Sequence, residues 1–329
     1  MFDAIRKAVQ FVAHTAHQAA EAVTDQAPEP KAAMAPAARR DTAEFRRQLP
    51  SLDAGSPAGK LQQLGRDDAL AAGRWDADRP LSEAVNAHRT NTVEEMREAL
   101  LSDHDYNWFE GDVRWEINHS DRLEMRHDGG HESGDNLTLK EWLTIGRDSG
   151  RGMKLDFKDG DGVPQAIAEI KAVGIPPEKL MINLGDSASA EYGALIRKEL
   201  PGAILAINPA DELNGQKNDG PYESWQIDRM VELAEKFGPP VTFPVRFDRL
   251  TPETVERLEE VGSVSIWNSP AKGGVDDVEA ETAKLREQGV TGMIDLRESM
   301  SNLEKVESVA ERGVQEGKNL VRKGWDAIF

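Results

Sequence analysis

The sequence predicts an α/β fold: a closed (β/α)8 barrel of eight parallel strands with extra helical segments at the N- and C-terminal ends. Three observations predict it. Eight short apolar runs alternate with helical patterns from Leu81 to about residue 300, the rhythm of repeated strand–helix units. The runs start on small or apolar residues and end on polar ones, and in such barrels chemistry gathers at the C-terminal strand ends. No G-x-G-x-x-G follows the first strand, which disfavours a doubly wound open sheet.

The elements follow in order. Phe2, Ile5, Val9, Val12 and Ala16 recur at helical spacing, so residues 1–23 predict an amphipathic helix that docks on the main domain or pairs with another protomer. Basic residues are too few there for a membrane-surface anchor. Residues 24–80 are rich in Ala, Pro and charge and read as a linker, with short helices around Thr42–Gln48 and Gly59–Leu64.

The barrel is expected over residues 81–300. Its strands are predicted at Ala84–Arg89, Trp108–Trp115, Gly152–Lys158, Leu180–Leu184, Ala203–Asn208, Val241–Arg246, Ser263–Trp267 and Thr291–Leu296. Helices are predicted between them at Thr92–Leu101, Thr138–Asp148, Pro164–Val173, Ala188–Leu200, Tyr222–Phe237, Pro252–Val261 and Val275–Gln288. Thr92 with Glu95 reads as a capping box. Gly174, Gly202, Gly238 and Gly289 fall where helices give way to the next strand. Residues 301–329 form a second amphipathic pattern, with Leu303, Val306, Val309, Leu320 and Trp325 as its apolar positions.

Composition narrows the partners. The chain has 329 residues and a formal net charge of -19. Nucleic-acid backbones require clustered Lys and Arg, so they are not expected as partners. The same balance argues against generic attraction to anionic membranes. A small phosphate-containing substrate stays compatible, because one bound cation and one or two Lys invert the local field. There is no Cys, which removes disulfides, thiolate metal sites and Cys nucleophiles. No apolar run approaches the roughly 20 residues a transmembrane helix needs. No secretory signal opens the sequence. The default expectation is a cytoplasmic protein, with export by another route left open.

The chemistry centres on Trp108 to Asp128, WFEGDVRWEINHSDRLEMRHD. Side chains alternate along a strand, so Glu110, Asp112 and Arg114 share one face. Neighbouring carboxylates repel unless a cation sits between them, and Mg²⁺ or Ca²⁺ prefers such oxygen ligands. Asn118 to Asp121 reads as a turn, and a second extended run, Arg122 to Arg126, returns His127 and Asp128 to the same end. Lys154, Asp156 and Lys158 alternate on one face of the third strand. Asp156 thus joins Glu110 and Asp112 as a third metal ligand, and Lys158 offers a point charge to a phosphoryl oxygen. His88 and His127, from different strands, suit general acid and base catalysis near neutral pH. Asn183, Asn208, Arg246, Asn268, Asp295 and Arg297 also lie at strand ends.

These residues carry a resemblance. HRTNT (His88–Thr92), EGDV (Glu110–Val113), His127-Asp128 and LDFK (Leu155–Lys158) resemble the signature of the glycerophosphodiester phosphodiesterase-like barrels (PLC-like phosphodiesterases), a superfamily that includes the sphingomyelinase D-like phospholipases. KEWL (Lys140–Leu143), GMKLDFK (Gly152–Lys158), MINLGD (Met181–Asp186), VTFPVR (Val241–Arg246) and SIW (Ser265–Trp267) resemble the menorin family in order and spacing, over Leu81 to Ser299. One departure stands out: Thr90 occupies the place of the glycine usual after His-Arg. The resemblance implies a phosphoric diester hydrolase or lyase with Mg or Ca as cofactor, His88 and His127 as the acid/base pair, and Glu110, Asp112 and Asp156 as metal ligands. It implies Lys158 as a phosphate ligand and Trp267 as part of the substrate cleft. Arg89, Asn183 and Arg246 join them as candidate substrate or phosphate contacts. The expected function is hydrolysis of a glycerophosphodiester or (lyso)phospholipid, or its conversion to a cyclic phosphate. The alternative is a non-catalytic menorin-like barrel for binding or assembly, with self-association through the terminal helices.

Overall fold

The computed structural model describes residues 51–299, apart from 68–69, 71–72, 117–118, 128–134, 211–219 and 270–273. The helices expected at residues 2–23, 42–48 and 303–329, and Asp128, lie outside the described residues. Nine strands form one sheet: β1 (Asn86–Ala87), β2 (Trp108–Glu116), β3 (His119–Met125), β4 (Gly152–Phe157), β5 (Leu180–Leu184), β6 (Ile204–Ile207), β7 (Val241–Arg246), β8 (Ser263–Trp267) and β9 (Ile294–Asp295). All pair in parallel in the order β1-β2-β4-β5-β6-β7-β8-β9, except β3, which lies off that path and runs antiparallel to β2. The helices are α1 (Pro57–Gly65), α2 (Val93–Leu101), α3 (Leu139–Ser149), α4 (Val163–Val173), α5 (Asp186–Glu199), α6 (Ser224–Phe237), α7 (Pro252–Glu259) and α8 (Val278–Glu287). From α2 to α8 they alternate with the parallel strands, the (β/α)8 arrangement with a nearly closed barrel.

The barrel is incompletely laddered. Among the described residues, β1 pairs only with β2 and β9 only with β8. Side chains cross the remaining seam: Asn86 Nδ2 donates to Asp295 Oδ2 at 2.9 Å, and Arg286 Nη2 donates to Ser82 O at 2.7 Å. Both end strands are therefore shorter than their apolar runs predict. Each is held by backbone bonds on one side only, and β1 is followed within two residues by Arg89, whose φ of 58° departs from strand geometry.

Local signals set the element ends. Thr92 and Glu95 close the expected capping box on α2, and Thr138 and Glu141 close a second on α3. Gly174 ends α4 with φ 80°, a conformation that costs other residues a Cβ clash. The turn expected at Asn118–Asp121 is corrected: β3 already begins at His119, where pairing with Glu116 across a register shift starts the ladder early.

Two apolar clusters hold the fold. The larger lies between the strands and the helices and includes Phe109, Val113, Trp142, Leu155, Ile182 and Phe243. The smaller contains Trp75, Ala84, Trp108, Met181, Ala206 and Met293. Trp108 shares its strand face with Glu110 and Asp112, and Met181 shares its face with Asn183. The smaller cluster thus fills the inner face at the strand starts, below the carboxylates.

Residues 51–80, expected as linker with short helices, contribute to both layers. Ser56 caps α1 by accepting from Gly59 N at 3.0 Å. Leu61 is buried, and Gln62 Nε2 donates to Asp148 Oδ2 at 2.6 Å. Trp75 meets Trp108 edge-on with ring centroids 5.3 Å apart, and Arg79 covers the outer Trp75 face. Among the described residues no helix is long and apolar enough to cross a membrane.

Candidate functional site

Strand register builds the site. Glu110 pairs with Lys154, and one rung higher Asp112 pairs with Asp156, which pairs in turn with Asn183. Two residues beyond each rung, side chains return to the same face. Three adjacent strands thus present Glu110, Asp112, Asp156 and Asn183 above the apolar plug. Carboxylate oxygens of Glu110, Asp112 and Asp156 lie within 4.8 Å of one another.

Neutral donors fix one oxygen of each carboxylate. Arg89 N donates to Glu110 Oε2 at 2.7 Å. Asn91 Nδ2 donates to Asp112 Oδ2 at 2.8 Å, and Asn91 Oδ1 accepts from Asp112 N at 2.8 Å. Asn183 Nδ2 donates to Asp156 Oδ1 at 2.8 Å, while Asn208 Nδ2 donates to Asn183 Oδ1 at 2.9 Å and sets that amide's orientation. The other oxygens of both aspartates meet Lys158: its Nζ lies 2.9 Å from Asp112 Oδ1 and 2.6 Å from Asp156 Oδ2.

The donor set fits a hard divalent cation. Two oxygens bound to one Ca²⁺ at about 2.4 Å can be no more than about 4.8 Å apart, and the three carboxylates satisfy that span. Glu110 and Asp112 are each 1% exposed, so their charges need a local counter-ion. With Asp295, the site gathers four carboxylates against the ammonium groups of Lys154 and Lys158 and the His88 imidazole. Even with all three of those groups charged the carboxylates are in excess, so a cation would meet a net negative site. Glu110, Asp112 and Asp156 would hold it.

The ionisable groups respond to this crowding. Burial pushes the Glu110 carboxyl above its usual range, and Asp112 and Asp156 add to the rise, although His88 and Lys154 oppose it. Burial also acts to raise Asp112, but Lys158 and the Asn91 hydrogen bond outweigh it and hold that carboxyl low. Burial alone would lower Lys158; Asp156 and Asp112 reverse the effect and keep it firmly protonated. Burial would likewise lower His88, yet Glu110 and Asp295 lift the imidazole above its ordinary value.

Of the residues expected at the site, His88 touches the cluster directly: its Nδ1 lies 3.2 Å from Glu110 Oε2 and 3.5 Å from Asp295 Oδ2. His127 follows Arg126, whose N–H donates to Asp112 O at 2.7 Å, and its imidazole acts electrostatically on Asp112. Lys158 and Asn183 are in the cluster. Arg89 enters through its backbone. Trp267 ends β8 in register with Asp295 and is 36% exposed. Arg246, in register with Trp267, directs its guanidinium to Asp248.

Two further participants carry no role in the sequence reading: Asn91, which lies inside HRTNT, and Lys154, which the alternation Lys154-Asp156-Lys158 puts on the face of Asp156. The departure at Thr90 has a structural role. Thr90 N and Oγ1 donate to Glu110 O at 2.8 and 2.9 Å. Trp142 Nε1 donates to Thr90 O at 2.8 Å and reaches Thr90 Oγ1 at 3.0 Å. Gly111 permits this lock, since a Cβ there would collide with Met125 and lie 3.2 Å from the Trp142 ring. A cleft of about 950 Å³ runs along the β1–β9 seam between α2 and α8, with His88, Arg89 and Asp295 among its lining residues.

Comparison with known proteins adds the following. A crystal structure of a proposed lyase/mutase from Burkholderia cenocepacia J2315 matches 82% of this chain and 91% of its own, at 13% identity and a TM-score of 0.44. No curated protein matches. The model of the Menorin N-terminal domain matches residues 81–276, more than half of the sequence and most of the barrel described above. The chain therefore belongs to the menorin family.

Proposed function

We propose that this chain is a metal-dependent phosphodiesterase of glycerophosphodiesters or (lyso)phospholipids, acting at the C-terminal mouth of its barrel. The observation that carries this reading is the meeting of Glu110, Asp112 and Asp156, with His88 and Lys158 in contact with them. The motif resemblance to the glycerophosphodiester phosphodiesterase-like barrels supports it. Mg²⁺ or Ca²⁺ held by the three carboxylates would polarise the phosphoryl group and offset charge on its oxygens.

The protein's own groups supply the remaining roles. His88 and His127 act as the acid/base pair: one takes the proton of the attacking oxygen, the other returns a proton to the departing alkoxide. With water as the attacker the product is a phosphomonoester. With a neighbouring substrate hydroxyl it is a cyclic phosphate. Lys158 stays protonated beside Asp112 and Asp156 and offers its charge to a phosphoryl oxygen. Arg89, Asn183, Arg246 and Trp267 are the proposed contacts for the phosphate and the rest of the substrate; Arg246 must part from Asp248 to serve.

The test is release of a phosphomonoester or cyclic phosphate from a lysophospholipid or glycerophosphodiester, with Mg²⁺ or Ca²⁺ added or chelated. Loss of product in His88→Ala supports the reading, and equal turnover by that variant refutes it.

A further inference from the structure

His88 Nδ1 has two carboxylates within reach and one proton to give. Glu110 Oε2 lies at 3.2 Å and Asp295 Oδ2 at 3.5 Å. The two acceptors differ in their other duties. Glu110 Oε2 already accepts from Arg89 N at 2.7 Å, and Glu110 belongs to the carboxylate triad. Asp295 lies outside that triad, across the seam on β9. Asn86 Nδ2 holds its Oδ2 at 2.9 Å. Burial would raise the Asp295 carboxyl, but His88, Lys154 and the Asn86 hydrogen bond keep it below its usual range, so it remains an ionised acceptor.

We propose that Asp295 is the positioning residue for His88: it takes the Nδ1 proton as partner once Glu110 is committed to a cation, and so keeps Nε2 presented for proton transfer. This rests on the cation reading above. A carboxylate that shares its electron pairs with a cation has less to offer an N–H donor, while Asp295 loses nothing. The exchange needs little movement. A normal N–H···O bond spans about 2.7–3.2 Å, so about half an ångström of closure suffices. The seam allows it, because among the described residues no backbone ladder joins β1 to β9. Asn86 lies on β1, two residues before His88, and pins Asp295 to that side. A carboxylate that orients an imidazole through Nδ1 also selects its tautomer.

The experiment reads that tautomer directly. The full chain has seven histidines, few enough for two-bond ¹H–¹⁵N spectra of ¹⁵N-histidine-labelled protein, with His88 assigned by His88→Gln. Spectra are taken above the pH at which the His88 ¹⁵N shifts stop changing, so that the ring is neutral, and are compared with and without Mg²⁺ or Ca²⁺, and calorimetry on the same samples reports cation binding. Wild type and Asp295→Asn are expected to keep the Nδ1–H form of His88 in both states, since the amide oxygen can still accept. Asp295→Leu is expected to keep it without cation, through Glu110, and to become a tautomer mixture when cation is bound. Glu110→Leu, which leaves no acceptor at that position, is expected to remain Nδ1–H through Asp295, and it decides the matter if Asp295→Leu does not fold. Retention of Nδ1–H by cation-loaded Asp295→Leu, or its loss in Glu110→Leu, overturns the proposal. Absence of cation binding by wild type overturns the cation reading and the exchange with it, and the calorimetry distinguishes that failure from the first.

Discussion

Replacing Lys158 with methionine removes the ammonium that bridges Asp112 and Asp156 at 2.9 and 2.6 Å. The carboxylate oxygens of the cluster lie within 4.8 Å of one another. Two unit charges at that distance repel by about 3.5 kcal/mol at an effective dielectric of about 20. Removing one partner of a buried ion pair costs about 3–5 kcal/mol. The Lys158 side chain keeps a quarter of its surface in solvent, so the lower figure, about 3 kcal/mol, applies. For a domain of this size each kcal/mol moves Tm by about 2–4 °C, which predicts a drop of about 6–12 °C in chelator. A cation present at 100 times its Kd stabilises by about 2.7 kcal/mol. In Lys158→Met the cation also meets repulsion that the ammonium no longer relieves, so it binds more tightly than in wild type. Scanning calorimetry with and without Mg²⁺ or Ca²⁺ should therefore show a larger cation-induced rise in the variant. A variant as stable as wild type in chelator, or one with no greater response to cation, refutes the electrostatic reasoning.

Two further outcomes follow. Glu110 is held above the usual carboxylate range by burial, so its proton competes with the cation as pH falls. Affinity should fall as pH is lowered, with protons released on binding; calorimetry in buffers of different ionisation heat measures the release, and an affinity that stays constant without proton release as pH is lowered contradicts the assignment. Trp75→Ala should lower stability by about 3–5 kcal/mol, because Trp75 is buried against Trp108 in the inner apolar layer, while cation affinity measured on the folded variant stays within about threefold of wild type; a tenfold loss would place Trp75 in the site's support.

Much of the barrel was legible from local patterns. Runs such as Leu180–Leu184 and Val241–Arg246 are buried on both faces and read as continuous apolar strands. The end strands were over-read because apolarity marks burial, whereas strand length also needs a partner on each side, which Asn86–Ala87 and Ile294–Asp295 lack across the seam. Residues 51–80 read as linker because Leu61 and Gln62 sit side by side on one short helix and Trp75 stands apart from it, which makes no sustained period. At the site, the strand period of two brings Glu110 and Asp112 to one face, and alternation around Asp156 adds the third carboxylate. The Thr90–Trp142 lock spans 52 residues and joins a loop to a helix, so no local spacing announces it. Asn91 was hidden for a similar reason: its value lies in a reciprocal pair of bonds with Asp112, 21 residues away. Asp295 was visible only as a polar strand end until closure of the barrel brought it to His88.

The most direct measurement is anomalous scattering from crystals of the full chain grown or soaked with Mn²⁺ as a stand-in for Mg²⁺. A single peak is predicted at about 2.0–2.4 Å from oxygens of Glu110, Asp112 and Asp156, with Lys158 moved off at least one aspartate. Crystals that diffract well, contain Mn²⁺ in the mother liquor, and show no peak there while Lys158 still bridges Asp112 and Asp156 would contradict it.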